Sequence, residues 1–316
     1  MKPIIVPRTY DYVGVYLTDK CHLSCCYCIT QHHQARFGSY KYSYLKTEDW
    51  IKGLNRLVLP EGIPITLQGG EPFLFKGIWK ILENVKQKID IMTALPSFLK
   101  REDLIKLKTL DWNKRKALYP TIRVSYHKGQ NDYKDLIKRI AELQDILSIG
   151  LYYLSEPSQS EEEVSELKSF AKKYNVELRL KEFLGDYGDE KIGNLLYPEA
   201  ASGINLSRRV LCKNTVVPIA PDGNVYLCHS DLYFNRREKA LGNILDEDFM
   251  FPKDFLPCDN YGLCNECDVK VKTNHNQEYG YTSVTIQPAD DKPIPKLDFK
   301  DDFTGTFVKY SSGKFK

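Results

Sequence analysis

Between residues 11 and 185, short apolar runs alternate with stretches in which apolar residues recur every three to four positions. These are the two rhythms of buried strands and amphipathic helices. Strand-type runs fall at residues 12–17, 64–68, 89–93, 121–125, 147–154 and 176–180. The helical pattern falls between them at 47–57, 77–89, 101–110, 132–144 and 161–174. Thr47 stands before two acids, Glu48 and Asp49, which predicts it as the cap of the first helix. Six βα repeats in succession imply a parallel sheet with right-handed crossovers. Periodicity alone leaves two architectures open, a doubly wound open sheet and a curved partial barrel.

The rhythm stops after residue 185. Residues 186–211 are rich in Gly, Asn and Ser and read as a linker or substrate-facing loop. Two further β-type runs, 216–219 and 224–227, are joined by Ala220-Pro221-Asp222-Gly223, a strong turn signal. They predict a hairpin with Cys212 and Cys228 at its bases. Residues 287–316 carry Pro, Asp and Lys in excess and read as a tail, partly ordered at best. The expected division is therefore a βα domain over 1–185, a linker over 186–211, a cysteine-rich domain over 212–286 and a tail over 287–316.

Composition narrows the class. A chain of 316 residues exceeds the usual size of one core, in keeping with one large and one small domain. The net charge of +3 is too small to call for nucleic acid or a membrane surface as a partner. No stretch reaches the length of a membrane span, and the N-terminus lacks the apolar core of a signal peptide. Nine cysteines without an export signal point to metal binding in a reducing cytoplasm, not to disulfides.

Three of those cysteines follow the first predicted strand in a tight loop, Cys21-His22-Leu23-Ser24-Cys25-Cys26-Tyr27-Cys28. The C-x3-C-x2-C spacing of Cys21, Cys25 and Cys28 lets three thiolates face one centre. Soft ligands of this kind suit an iron–sulfur cluster, which four cysteines normally hold. With three, one iron is left without a protein ligand. A structural zinc site wants four closed ligands, usually as C-x2-C pairs, which this loop does not offer. Cys26 reads as a packing cysteine, because adjacent thiolates seldom reach one metal.

This loop, with Tyr27 at the aromatic position, resembles the signature of the radical S-adenosylmethionine (SAM) superfamily. The resemblance implies a [4Fe–4S] cluster on Cys21, Cys25 and Cys28 whose open iron chelates SAM. It also implies a (βα)6 partial TIM barrel with its catalytic groups at the C-terminal ends of the strands. Gln68-Gly69-Gly70-Glu71-Pro72 matches the family's G-G-E-P motif, in which the Glu binds the SAM amino group and the glycines admit close approach. Glycine permits such contact and a carboxylate suits an ammonium, on any fold. Ser125 and Arg179 are further candidate SAM contacts, although Lys181 or Glu182 could face the site instead of Arg179. His127 and Lys128 are candidate substrate contacts. His22, His32, His33 and His229 read as polar loop residues.

The later cysteines, Cys212-x10-Gly-x4-Cys228 and Cys258-x5-Cys264-x2-Cys267, resemble a Twitch domain, the shortened relative of the SPASM domain. That implies one auxiliary [4Fe–4S] cluster on Cys212, Cys228, Cys264 and Cys267, with Cys258 as the alternative ligand. A four-cysteine zinc ribbon is the rival on spacing. Together these features predict an oxidoreductase-type radical enzyme, served by a flavodoxin or ferredoxin reductant. The twenty residues before Cys21 leave no room for a leader-binding module. The expected substrate is therefore a small polar metabolite of the sugar or aminocyclitol type. The alternatives are a peptide-modifying enzyme and a non-enzymatic zinc or iron–sulfur protein.

Overall fold

Alternation along each strand decides the architecture. The computed structural model describes residues 1–28, 43–109, 120–187, 190–271, 283–297 and 309–311. Six strands pair in parallel and in chain order: β1 (Tyr12–Thr18), β2 (Ile65–Gly69), β3 (Ile89–Thr93), β4 (Ile122–Tyr126), β5 (Ile149–Ser155) and β6 (Leu178–Glu182). One face of the sheet is apolar. Val13, Val15 and Leu17, then Ile65 and Leu67, Ile89 and Ile91, Ile122 and Val124, Ile149 and Leu151 are buried in a single core. Residues of the intervening helices share that core: Trp50 and Leu54 from α1 (Thr47–Leu54), Ile81 from α2 (Ile78–Asn84), Leu104 from α3 (Arg101–Ile105), Ile137 and Ile140 from α4 (Tyr133–Ala141), Leu167 from α5 (Glu161–Lys173).

The other face is polar and concave. Tyr12 and Tyr16 of β1, Gln68 of β2, Met92 of β3, Ser125 of β4, Tyr152 of β5 and Lys181 of β6 all line one cavity of about 580 Å³. The first and last strands of a flat sheet cannot border so small a space, so the sheet curls into a partial barrel. Helix ends agree with the local chemistry. Asp132 accepts from Lys134 N at the start of α4, and Ser160 and Glu163 form a reciprocal capping box on α5. Thr47 is not a cap: Lys46 holds the cap position without a side-chain bond, and Thr47 packs instead against Gly77. The helix expected over 101–110 ends early, in a 3-10 turn over Lys106–Thr109.

Beyond the barrel the chain returns through β7 (Val210–Asn214) and, one residue later, β8 (Val216–Ile219). β8 pairs in parallel with β1, and the hairpin strand β9 (Asn224–Val225) and β10 (Gly242–Asn243) extend the sheet further. Gly223 adopts φ +81° in the Pro-Asp-Gly turn, a conformation open to glycine. The hairpin expected in a separate domain from residue 212 is thus hydrogen-bonded into the barrel sheet. β7 is the centre of a second, antiparallel sheet between β11 (Leu256–Cys258) and β12 (Val284–Pro288). The stretch read as a linker belongs to this module: Leu195, Leu196, Tyr197, Ala200 and Ala201 are buried in its core. Of the tail, the strand Lys309–Ser311 pairs with Glu190–Ile192. Among the described residues no helix is long and apolar enough to cross a membrane.

Inside the barrel, Arg123 donates to Asp90 Oδ1 at 2.8 Å and to Thr66 Oγ1 at 3.2 Å, and both ionic side chains are out of contact with solvent. A buried pair tolerates joint replacement far better than loss of one partner. We expect Arg123→Met to lower stability by about 3–5 kcal/mol, and Arg123→Met combined with Asp90→Leu to recover most of it. Anaerobic urea unfolding of the cluster-loaded protein checks both; a single variant as stable as wild type would refute the buried pair.

Candidate functional site

The cavity's mouth is made where β1 and β2 end side by side. A register shift between Tyr16 and Thr18 turns the chain out of β1 into the cysteine loop. There Thr18 O accepts from Gly70 N and Lys20 O accepts from Glu71 N, both at 2.7 Å. The contact is backbone on backbone. A Cβ on Gly69 would stand 2.3 Å from Thr18 O, and one on Gly70 2.1 Å from Lys20 O, so both positions exclude a side chain. Gly69 also takes φ +128°, which L residues rarely adopt.

From this clamp the loop carries Cys21, Cys25 and Cys28 to the cavity wall. Cys26, read as a packing cysteine, is exposed and is not part of that wall. Burial and the neighbouring thiols Cys28, Cys21 and Cys26 push Cys25 up to about 12, and burial raises Cys21. Metal binding by thiols requires their deprotonation, so it releases protons here. The far side of the loop is held by β4 and the segment after it: Ser24 N donates to Gln130 Oε1 at 2.9 Å, and the Tyr27 hydroxyl meets His127 Nδ1 at 3.0 Å. Burial brings His127 down to about 4, so its ring is neutral at physiological pH.

The other candidates of the first site divide. Gly69, Gly70, Ser125 and His127 line the cavity; Glu71 lies behind its wall, only 1% exposed. Oε1 of Glu71 accepts from Phe73 N (3.1 Å) and Thr93 Oγ1 (2.8 Å), and Oε2 accepts from Ala94 N (2.8 Å). A carboxylate has about four lone-pair sites, so three of those on Glu71 are taken up within the protein. Lys128 is turned away, paired with Glu163 at 2.8 Å. Arg179 bonds to Glu177 at 2.6 Å, and Lys181, two residues nearer the C-terminal end of β6, reaches the cavity in its place. Burial together with Arg123 and Lys270 lowers the Lys181 ammonium to about 7. His22 is exposed; His32 and His33 lie outside the described residues.

The second cysteine group assembles in the antiparallel module. The interaction between the Cys212 thiol of β7 and the Cys258 thiol of β11 pushes Cys212 up and draws Cys258 down. Cys228 and Cys264 are raised by burial, and each feels the charge of Cys258. Asn260, 2% exposed, links three of the four sulfurs. Its backbone N–H donates to Cys258 Sγ at 3.4 Å, its Nδ2 to Cys228 Sγ at 3.6 Å, and its carbonyl accepts from Cys264 Sγ at 3.7 Å. Cys267 stands apart: it lines the barrel cavity, and the cations acting on it are Lys270 and Lys181. The structure thus brings Cys258, the alternative of the sequence reading, beside Cys212 and turns Cys267 toward the barrel. Two sets of soft sulfur donors, three and four strong, fit iron–sulfur clusters. Among the described residues no three Cys, His, Asp or Glu side chains converge tightly enough to share a single metal ion.

Sequence reasoning missed the groups that join the two sites. His229 Nδ1 lies 2.7 Å from Asp268 Oδ1, with its ring stacked on Tyr233 at the cavity wall. Tyr16 and Tyr233 share a hydroxyl contact at 3.2 Å. Lys270, 2% exposed, reaches the same cavity from the cysteine-rich module. Residues so far apart in the chain carry no common local signal.

A family model described as Radical SAM superfamily matches residues 15–177. The chain is 24% identical over 192 residues to a GTP 3',8-cyclase of Helicobacter pylori and 26% identical over 192 residues to one of Nautilia profundicola. Each match covers 56% of this chain and 57% of the relative, so the chain spans little more than half the length of these curated relatives. Among solved structures, native anSMEcpe with bound AdoMet aligns with a TM-score of 0.46 at 15% identity, over 74% of this chain and 78% of that one.

Burial raises the Glu71 carboxyl from 4.5 to about 7, against three hydrogen bonds that lower it. The native state therefore holds this proton more tightly than the unfolded chain, and stability falls as pH rises between those two values. Gln at this position carries no such proton. We expect the unfolding midpoint of Glu71→Gln, relative to wild type, to climb between about pH 5 and about pH 8. A difference between the two proteins that stays constant with pH would show that Glu71 is not held this way.

Proposed function

The chain belongs to the radical SAM superfamily, whose members bind a [4Fe–4S] cluster and SAM, and we propose that it starts radical chemistry on a small polar molecule held in the barrel cavity. When bound, the cluster and SAM together supply a 5′-deoxyadenosyl radical, which takes hydrogen from an unactivated C–H bond. The protein's own part is positional. Cys21, Cys25 and Cys28 would hold three irons. The Gly69–Gly70 backbone, pressed against Thr18 and Lys20, holds the cysteine loop at the cavity wall where a cofactor would lie. The Glu71 carboxylate suits the methionyl ammonium, while Ser125 and the neutral His127 ring offer polar contacts nearby.

One observation carries the reading: a single cavity of about 580 Å³ is lined both by Cys21, Cys25 and Cys28 and by His229, Cys267 and Lys270 of the second module. A molecule in that space would touch both. For the second cluster we propose Cys212, Cys228, Cys258 and Cys264 as ligands, supported by the Cys212–Cys258 contact and by Asn260. Nothing found favours the sugar or aminocyclitol type of substrate. The relatives are named for GTP, which makes a nucleotide the first molecule to test. A flavodoxin or ferredoxin would supply the electron.

After anaerobic reconstitution with iron and sulfide, we expect about eight iron atoms per chain and 5′-deoxyadenosine on adding SAM and dithionite. Cys25→Ala should abolish that product. Cys258→Ala should lose about half of the iron, whereas Cys267→Ala should keep it. Full activity in Cys25→Ala would overturn the first site, and iron lost from Cys267→Ala but not from Cys258→Ala would overturn the second ligand set.

A further inference from the structure

We propose that Lys181 and Lys270 form a subsite for a phosphate group of the substrate, on the wall where β6 meets the cysteine-rich module. The inference rests on the reading that the barrel cavity holds the substrate. Lys181 comes from the last barrel strand and sits 4.8 Å from the centre of the Tyr152 ring. Lys270 follows the short helix Glu266–Val269, and its backbone is fixed by a bridge to Leu195. Both line the cavity, and each acts on the same neighbour, Cys267. Among the described residues no carboxylate pairs with either ammonium.

The acids that share the cavity wall are engaged elsewhere. Glu182 accepts from Asn194 N and Nδ2 at 2.5 and 2.7 Å, Asp19 accepts from the Tyr44 hydroxyl, and Asp11 is hydrogen-bonded to Thr215. Buried Arg123 adds to the positive field acting on Lys181, while its own charge is answered by Asp90. The Tyr152 hydroxyl is buried and has no hydrogen-bond partner among the described residues, a donor left over beside Lys181. Lys270 is held away from water and Lys181 is half-buried beside the same cavity; keeping both charged without a counter-charge is costly, and an anion between them removes that cost. Lysines on separate elements act as two point charges. They suit a phosphate, whose several oxygens can be shared, better than a carboxylate, which guanidinium groups match in a fork.

Sodium tripolyphosphate titrated calorimetrically into the cluster-loaded protein under anaerobic conditions tests the site. We expect saturable binding at one site, weakened about tenfold or more in Lys181→Gln and again in Lys270→Gln, as for loss of a charge-assisted hydrogen bond. Equal binding by wild type and both variants would overturn the subsite, and malonate binding as tightly as tripolyphosphate would overturn the phosphate assignment. Loss of iron–sulfur absorbance in the variants would overturn it differently, by showing that the lysines serve a cluster beside Cys267. Wild-type protein that binds tripolyphosphate through these lysines but forms no 5′-deoxyadenosine from SAM would sustain the subsite and remove the proposed function.

Discussion

Two strand ends pressed together without room for a side chain govern this molecule. The backbone of Thr18 to Lys20 lies directly on Gly69, Gly70 and Glu71, joined by two hydrogen bonds of 2.7 Å. Everything the cysteine loop does depends on that contact, because the loop leaves it within one residue. Side-chain bonds from Gln130 and His127 anchor its far side, and Leu23 and Cys25 pack with Ala94. Glu71 continues the clamp inward, tying β2 to Thr93 and Ala94 at the end of β3. The motif therefore has an architectural duty besides any contact with a cofactor: three parallel strands are joined at their C-terminal ends, where barrel chemistry gathers.

The same alternation that builds the sheet divides its work. Outward positions are aliphatic and hold the helices; inward positions are polar and shape the cavity. The cysteine-rich module is not an appendage to this arrangement. β8 is a seventh parallel strand of the barrel sheet, β7 one residue earlier centres the second sheet, and Cys228 opens the helix that brings His229 to the cavity. One segment of about 20 residues thus serves both modules. Their relative position is set by sheet hydrogen bonds, which hold it more firmly than a flexible linker would.

Much of the barrel was legible because its strands obey a local rule. Each of the six expected strands exists, and Cys21, Cys25, Cys28, Gly69 and Gly70 reach one cavity as their spacing implied. What escaped reading depends on depth or on distance along the chain. Arg179 and Lys181 lie on the same face of β6, and only the length of the strand tells which is level with the site. Cys258 comes beside Cys212 because antiparallel β7 and β11 set it opposite Val210, diagonal to Cys212 on the same face, a placement that cysteine spacing does not encode. Leu195 to Ala201 passed for a linker, since Gly, Asn and Ser around them masked the apolar residues that fill the second core. The parallel docking of β8 on β1 joins segments some two hundred residues apart and leaves no trace in either.

Replacing Gly70 by Ala puts the central constraint to its most direct test, because the added methyl would meet Lys20 O at 2.1 Å while leaving every cysteine in place. Electron paramagnetic resonance of the reduced, reconstituted Gly70→Ala protein, with and without SAM, reads the outcome. The account predicts a cooperatively folded protein that keeps the second cluster's signal and lacks any signal that SAM perturbs. A Gly70→Ala protein whose spectrum still shifts on adding SAM, as the wild type's is expected to, would contradict it.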